Sequence, residues 1–301
     1  MSFVPVMSYA SPSVQRRVGL VAGWGRYPLV VARALRSAGY RVYCLGVKDH
    51  ADEAALREVV DDFVWIGLAK VGRAIRYFQR NGVTQAVMAG KIHKVQLYQP
   101  RMWIKHLPDW TGLRTFYPHF VLARRDRRDD TLLGAIVESF RQRGVMFGPA
   151  TDYAPELLVT EGCLTDHAPT AAQRKDIALG WEVAKEMGRL DVGQSVIVKD
   201  RAVLSIEAIE GTDACIRRAG ELCPVGGFTV IKVAKPRQDM RFDVPTIGMG
   251  TLESMVAARG KVLAVEAGKT ILVDQRQVVD FANRHHLVIV ALHAATALGQ
   301  A

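Results

Sequence analysis

The chain's first clear pattern is an apolar run of strand length, Val18-Gly19-Leu20-Val21-Ala22, followed by Gly23-Trp24-Gly25-Arg26-Tyr27-Pro28 and an amphipathic stretch that stops at Ala38-Gly39. This reads as strand, turn and helix. Pro28 suits a first helical turn, where its missing N–H leaves nothing unsatisfied, and Gly39 suits a left-handed stop. A second apolar run, Arg41 to Gly46, follows at once. The pattern then predicts a short helix at 52–60, a strand at 63–66, a helix at 71–80 and a strand at 85–89. Strands alternating with helices imply a parallel sheet covered on its faces. A Rossmann-like parallel-sheet domain is therefore expected over residues 17–150.

From Gly90 to Arg128 the pattern blurs into aromatic and basic residues, and it resumes as an amphipathic helix over 130–143 and a strand at 145–147. Turn residues from Gly148-Pro149 toward Pro155 mark the border. The second half has a different rhythm. A helix at 170–187 ending at Gly188 precedes two strands, 195–198 and 202–206, around a Lys199-Asp200-Arg201 turn. Helices at 213–222, 252–259 and 278–285 then alternate with strands at 228–234, 262–265, 271–273 and 287–292. A distinct C-terminal mixed α/β domain is expected over 151–301.

Composition narrows the class. With 49% hydrophobic and 23% charged residues the chain is ordinary globular protein, and 40 Lys and Arg against 30 Asp and Glu give a formal charge of +10. That balance favours an acidic partner: nucleic acid, an anionic bilayer or a phosphate-bearing substrate. Nucleic acid is not expected, because no helix-turn-helix, zinc or RNP-type phrase accompanies the charge. Cys44, Cys163, Cys215 and Cys223 show no metal-knuckle or redox spacing, so reduced thiols are expected. No apolar run approaches membrane-span length, and residues 1–15 read as a loose extension without secretory features, on a cytoplasmic protein.

Four segments carry candidate chemistry. The opening glycine turn would let backbone N–H groups approach a phosphate at a helix N-terminus, with Gly23, Gly25 and Arg26 as contacts; tight-turn geometry explains the same glycines equally well. Pro28 stands where a dinucleotide fingerprint needs glycine, and Leu45-Gly46-Val47 supplies no acid for a ribose, which disfavours NAD. Arg124 to Asp130 mixes arginines with carboxylates before a helix; Asp129 or Asp130 can cap it, and Asp130 is also a candidate ligand for Mg²⁺ near a diphosphate. Glu207 to Asp213 leaves a strand and enters a helix with Thr212 or Asp213 as its cap, a natural anion site. Finally, Lys232 to Gln238 and Arg241 to Gly248 place Asp243 between Phe242 and Val244, where a part-buried acid needs a metal ion or a lysine as partner. Asp243 is the catalytic candidate.

Taken in order, Leu20-Val21-Ala22-Gly23-x-Gly25-x-x-Pro28, Gly188-Arg189-Leu190-Asp191-x-Gly193-Gln194, Glu207-Ala208-x-Glu210-Gly211-Thr212-Asp213-Ala214, Lys235-Pro236-x-Gln238 and Asp243-x-Pro245-Thr246-Ile247-Gly248 resemble the LpxI family, the UDP-2,3-diacylglucosamine pyrophosphatases of lipid A assembly. The resemblance runs from about Arg17 to Leu292. It departs where Trp24 and Arg26 interrupt the first glycine loop and at Gly90-Lys91-Ile92-His93-Lys94. What it implies is a nucleotide-binding-like N-terminal domain, a distinct C-terminal α/β domain, and Mg²⁺-dependent hydrolysis of the diphosphate to UMP and lipid X, 2,3-diacylglucosamine 1-phosphate. Asp243 would be the essential carboxylate. Gly23, Gly25, Arg26, Gln194, Thr212, Lys235, Gln238 and Thr246 would contact substrate, and Asp243, Asp130 and Asp213 would serve the metal. The expected partners are the UDP-lipid and, transiently, the anionic inner-membrane surface, with a homodimer left open. Trp103, Trp110 and Phe120, interleaved with Arg101, Lys105 and Arg114, are either that surface contact or the core of an irregular helical insert. The competing reading is a non-catalytic nucleotide or nucleotide-sugar binding protein, which would have no use for a lone acid beside a phosphate.

Overall fold

The computed structural model describes residues 16–91, 108–120, 129–241 and 243–299, with backbone only at 116–120 and 129–132. Trp103, Arg101, Lys105, Arg124 to Arg128 and Phe242 lie outside the described residues, as do the side chains of Phe120 and Asp130. The chain divides into two compact units, residues 1–148 and 149–301.

In the first unit, β1 (Arg17–Ala22), β2 (Arg41–Val47), β3 (Asp62–Ile66), β4 (Gln85–Ala89) and β5 (Met146–Phe147) form a parallel sheet in the order β3-β2-β1-β4-β5. The helices are α1 (Tyr27–Ser37), α2 (Glu53–Arg57), α3 (Val71–Arg80), α4 (Trp110–Phe120) and α5 (Asp129–Arg141). Pro28 lies in the first turn of α1, and Gly39 takes a positive φ just past its end. Helix α3 packs directly on β1: the Phe78 ring lies 2.6 Å from where a Cβ on Gly19 would stand, so only glycine admits it. Phe78, Phe140 and Phe147 continue that layer across β4 and β5, the first pair tilted and the second edge to face. The strand order reverses between β1 and β4, and in open parallel sheets such a reversal opens a crevice at the carboxyl ends of the strands.

The second unit has a six-stranded mixed sheet, β6 (Gly162–Cys163), β7 (Ser195–Lys199), β8 (Ala202–Ile206), β9 (Thr229–Lys232), β11 (Val262–Glu266) and β13 (Val288–Leu292), in the order β6-β13-β11-β9-β7-β8. Strands β9, β11 and β13 are parallel and buried at every position, which is why they read as apolar runs, β9 and β11 each closed by a buried charge, Lys232 and Glu266. A separate parallel pair joins β10 (Thr246–Ile247) to β12 (Ile271–Leu272). The helices are α6 (Ala171–Arg189), α7 (Thr212–Leu222), α8 (Met249–Ala257), α9 (Gln275–Arg284) and α10 (Ala294–Ala297). One core cluster joins α6, through Ile177, Trp181 and Ala184, to Val196, Ile231 and Val288; the other joins α7, α8 and α9 to Ile197, Val230 and Leu263. The fold is thus a parallel-sheet α/β unit followed by a mixed α/β unit, as expected.

Two local readings change, and the hairpin stands where it was expected. Helix α6 does not stop at Gly188 but runs through Arg189, and Gly188 is there for close packing, with a Cβ at that site 3.1 Å from Lys235 Cα. Neither Thr212 nor Asp213 caps α7: Gly211 is the N-cap, and the two side chains turn to other partners. The β7–β8 hairpin turns on Asp200 and Arg201, both at positive φ without a glycine. The buried Asp176 carboxylate holds that turn by accepting from the N–H groups of Asp200 at 3.2 Å and Arg201 at 2.7 Å.

Candidate active site

Most of the sequence-predicted residues of the second unit gather at one edge of its sheet. Lys232 ends β9, and the chain continues through Val233 and Ala234 to Lys235; Glu207 follows β8; Ser195 opens the antiparallel β7 and pairs with Lys232. Helix α7 begins here, so its N-terminal amides add partial positive charge at the same edge. Gly193 makes the edge compact, because a Cβ on it would meet the Glu207 carbonyl oxygen at 2.0 Å.

A buried polar network occupies the inner part. Lys232 Nζ, 5% exposed as a residue, donates to Thr212 Oγ1 at 3.0 Å and to the Thr246 carbonyl at 3.3 Å. Thr212 Oγ1 in turn donates to Glu207 Oε1 at 2.9 Å and lies 3.3 Å from Ser195 Oγ. Glu207 is buried, and its second oxygen, Oε2, has no hydrogen-bond partner among the described residues. An acceptor left unsatisfied in such a place costs stability unless a ligand or solvent donor reaches it. Glu207 and Lys232 open two of the candidate segments read from the sequence, but neither was assigned a role of its own; a lysine closing the run Thr229-Val230-Ile231 was the available signal.

A more open cluster surrounds Asp243. Gln238 Nε2 donates to Asp243 Oδ2 at 2.6 Å and to the Asp243 carbonyl, and Gln238 Oε1 accepts from Lys235 N at 2.7 Å. Lys235 Nζ donates to Asp191 Oδ1 at 2.7 Å and stands 3.9 Å from Asp243 Oδ2, whose side chain is 40% exposed. The lone acid therefore has the lysine neighbour that its sequence setting called for. Thr246 turns its hydroxyl to the Val244 carbonyl, at 2.9 Å, while its own carbonyl takes Lys232. Next to this cluster Arg241 grips Asp239, whose hydrogen bonds hold that carboxyl below the usual range.

Asp213 stands apart from Asp243's partners and accepts from Thr251 Oγ1 at 3.0 Å, tying α7 to α8. Gln194 has its side-chain oxygen buried with no partner among the described residues. A third ionic group, Lys185 with Glu266 at 2.6 Å, closes the edge at β11, where Glu266 also accepts from Ala234 N at 2.9 Å. Burial works to raise the Glu266 carboxyl, but its bonds to Lys185 and Lys269 outweigh that and hold it low; burial also pulls the Lys185 ammonium down.

The first unit places Gly23, Gly25 and Arg26 at the carboxyl end of β1. Gly23 N donates to the Ala89 carbonyl, and a Cβ on Gly23 would meet the Lys91 carbonyl oxygen at 2.7 Å, so this glycine answers to backbone packing. Gly25 differs: φ is +100° and nothing lies within 4 Å of its absent Cβ. Arg26 is the N-cap residue of α1. Beside it, the Tyr27 hydroxyl is buried without a partner among the described residues, and burial raises its pKa.

No group of three or more His, Cys, Asp or Glu side chains among the described residues could cage a metal. The donor set fits a different arrangement, in which a Mg²⁺ takes one or two carboxylates and most of its ligands from substrate phosphates and water. Such an arrangement would call on an accessible carboxylate, and the Asp243 side chain is 40% exposed.

The chain thus holds two α/β units, one a parallel sheet with a glycine turn after β1, the other a mixed sheet whose carboxyl end gathers lysines, carboxylates and a helix N-terminus. The family model of the LpxI N-terminal domain matches residues 17–157, and that of the LpxI C-terminal domain matches residues 160–290. A relative from Caulobacter vibrioides, the UDP-2,3-diacylglucosamine pyrophosphatase LpxI, is 30% identical over 271 residues, covering 88% of this chain and 93% of the relative. The chain belongs to the LpxI family.

Proposed function

We propose that this protein hydrolyses the diphosphate of UDP-2,3-diacylglucosamine to UMP and 2,3-diacylglucosamine 1-phosphate, a step of lipid A biosynthesis. Family membership and the name of the Caulobacter relative support the reaction class. The observation that carries the site is Asp243, oriented by two hydrogen bonds from Gln238 and facing Lys235 at the carboxyl edge of the sheet. A nucleotide-sugar binder without chemistry would gain nothing from a carboxylate there, since it repels a diphosphate.

In this reading Asp243 orients the attacking water and takes its proton. The bond from water to the sugar-side phosphorus forms as the anhydride P–O bond breaks, and UMP leaves with the electron pair. Lys235, freed in part from Asp191, and the N-terminal amides of α7 stabilise the charge gathering on the phosphoryl oxygens. Thr212, Gln194 and Thr246 shape the binding edge, with Lys232 holding Thr212 and Thr246 in place from below. A bound Mg²⁺ would supply further neutralisation of the diphosphate, with Asp243 as its protein ligand. The two acyl chains bring the encounter to the cytoplasmic face of the inner membrane. No helix among the described residues is long and apolar enough to cross a membrane.

The test is UMP release from the UDP-lipid in detergent. Asp243→Asn is expected to lose turnover by at least roughly 10²-fold while keeping its far-UV circular dichroism and its affinity for the lipid, the scale of a general base or metal ligand. EDTA should abolish wild-type activity, and ¹⁸O from labelled water should enter the lipid product. Wild-type turnover by Asp243→Asn would overturn the assignment; label in UMP would move the attack to the other phosphorus.

A further inference from the structure

Helix α3 carries three arginines on one flank, Arg73, Arg76 and Arg80, spaced i, i+3 and i+7 and thus about 10 Å along the axis at 1.5 Å per residue. All three are exposed, and among the described residues none of them has a carboxylate within ion-pair distance. They wall a cavity of about 200 Å³ whose floor is apolar, made by Leu45 of β2 and by Val64 and Ile66 of β3. The topology explains the opening. Helix α3 packs over β1 through Phe78 and Gly19, and α5 continues on the same face toward β5 through Phe140, so the β2–β3 side of that face falls outside both. Asp62 reaches the groove at Tyr77, accepting from its Oη at 2.8 Å and from Phe63 N at 2.9 Å, and it accepts from no arginine side chain among the described residues.

A second observation lies at the N-terminal end of the same helix. Asp109 accepts from the N–H groups of Gly72 at 3.1 Å, Arg73 at 2.8 Å and Gly112 at 2.8 Å, joining the starts of α3 and α4. The residue after it, Trp110, is 80% exposed, and Leu113 one turn on is 45% exposed. Asp109 thus brings an exposed indole to the end of α3 where the arginine row begins, and among the described residues those arginines have no ion-pair partner. At a bilayer the same set is favourable: indole rings sit at the headgroup level and arginines meet lipid phosphates.

We propose that the α3 arginine row with its apolar groove and Trp110 is a docking face for the phosphate headgroups of an anionic membrane. The choice of a lipid surface over a soluble phosphate rests on the apolar floor and Trp110, which a free anion does not need, and it accords with the lipid-hydrolase reading. The face lies in the first unit and includes none of the residues assigned to the chemistry.

The test is cosedimentation of the full chain with phosphatidylcholine vesicles, with and without phosphatidylglycerol. Wild-type protein is expected to bind the anionic vesicles and to release them at high salt. Replacing Arg73, Arg76 and Arg80 together by Gln should weaken partitioning by on the order of 10²-fold, each basic group near the surface being worth about fivefold. The same three changed to Lys should retain most of the binding, and Trp110→Ala should weaken it on its own. UMP release from detergent-dispersed substrate should be unchanged in every variant, so loss of docking and loss of catalysis read out separately. Undiminished vesicle binding by the Gln variant overturns the proposal. So does wild-type binding that ignores phosphatidylglycerol, or a Gln variant that loses affinity for UMP or inorganic phosphate while still sedimenting with vesicles.

Discussion

The carboxyl edges of the two sheets are built from similar materials and put them to different use. In the first unit the glycine turn after β1 meets the loop after β4 backbone to backbone: Gly23 N bonds Ala89, Trp24 N bonds Lys91, and a Cβ on Gly90 would stand 2.8 Å from Gly23. In the second unit the close approaches, Gly193 on Glu207 and Gly188 on Lys235, press together segments that carry buried or half-buried charge. The first edge is shaped by packing at Gly23 and Gly90, while Gly25 has nothing within 4 Å of its absent Cβ. The second holds Lys232, Glu207 and Glu266, groups that a fold keeps inside only with partners and at a cost. A glycine-rich turn therefore says less about where buried charge gathers than a lysine at the end of an apolar strand.

Lys232→Met should separate the two edges most sharply. It leaves Thr212 Oγ1 and the Thr246 carbonyl without their donor, at about 1–3 kcal/mol of stability by denaturant unfolding, and it should lower turnover by on the order of tenfold or more by loosening the two threonines at the binding edge. Full activity with reduced stability would make the network purely structural. Gly25→Ala comes next. It forces a side chain into φ near +100°, which should cost about 1–2 kcal/mol and, if the turn touches substrate, raise KM with little change in kcat. An unchanged KM would leave the first edge without a ligand role.

The smallest effect is a pH signature at β11. Glu266 is held below its ordinary value of 4.5 when folded, so its contribution is complete above that pH and is lost as pH falls through the lower folded value. Glu266→Gln should accordingly destabilise the protein at pH 7, and the gap from wild type should close on acidification below pH 4.5 in thermal unfolding. A gap that held constant to low pH would show that shape, and not charge, is what Glu266 supplies.

The elements were largely legible because the parallel strands are buried on both faces and read as apolar runs, while Pro28 and Gly39 bracket α1. The hairpin turn was placed by its flanking strands, but its support was hidden: Asp176 lies 24 residues before Asp200 and reads as an ordinary helical acid. Capping by Thr212 or Asp213 was a fair inference from residue type, defeated because both hydroxyl and carboxylate have tertiary partners that local sequence cannot show. At the site, Asp243, Lys235 and Gln238 lie within one short segment and could be read together, and Asp191 joins them from a turn 44 residues before Lys235. Glu207 and Lys232 fell in two different candidate segments and neither was given a role; only Thr212 standing between them makes the pair a unit.

Strand β6 pairs antiparallel with β13, Cys163 against Val290 and Gly162 against Ala291, so a strand near the start of the second unit covers the edge of one about 125 residues further along. During synthesis this arrangement imposes an order. β6 emerges long before its partner, and the sheet cannot close until the segment ending at Leu292 has left the ribosome. Contacts of such long sequence separation fold slowly, and an unpaired apolar strand edge invites other chains in the interval. A fragment that begins at α6 would carry that exposed edge permanently, and it should form aggregates where the whole unit stays dispersed.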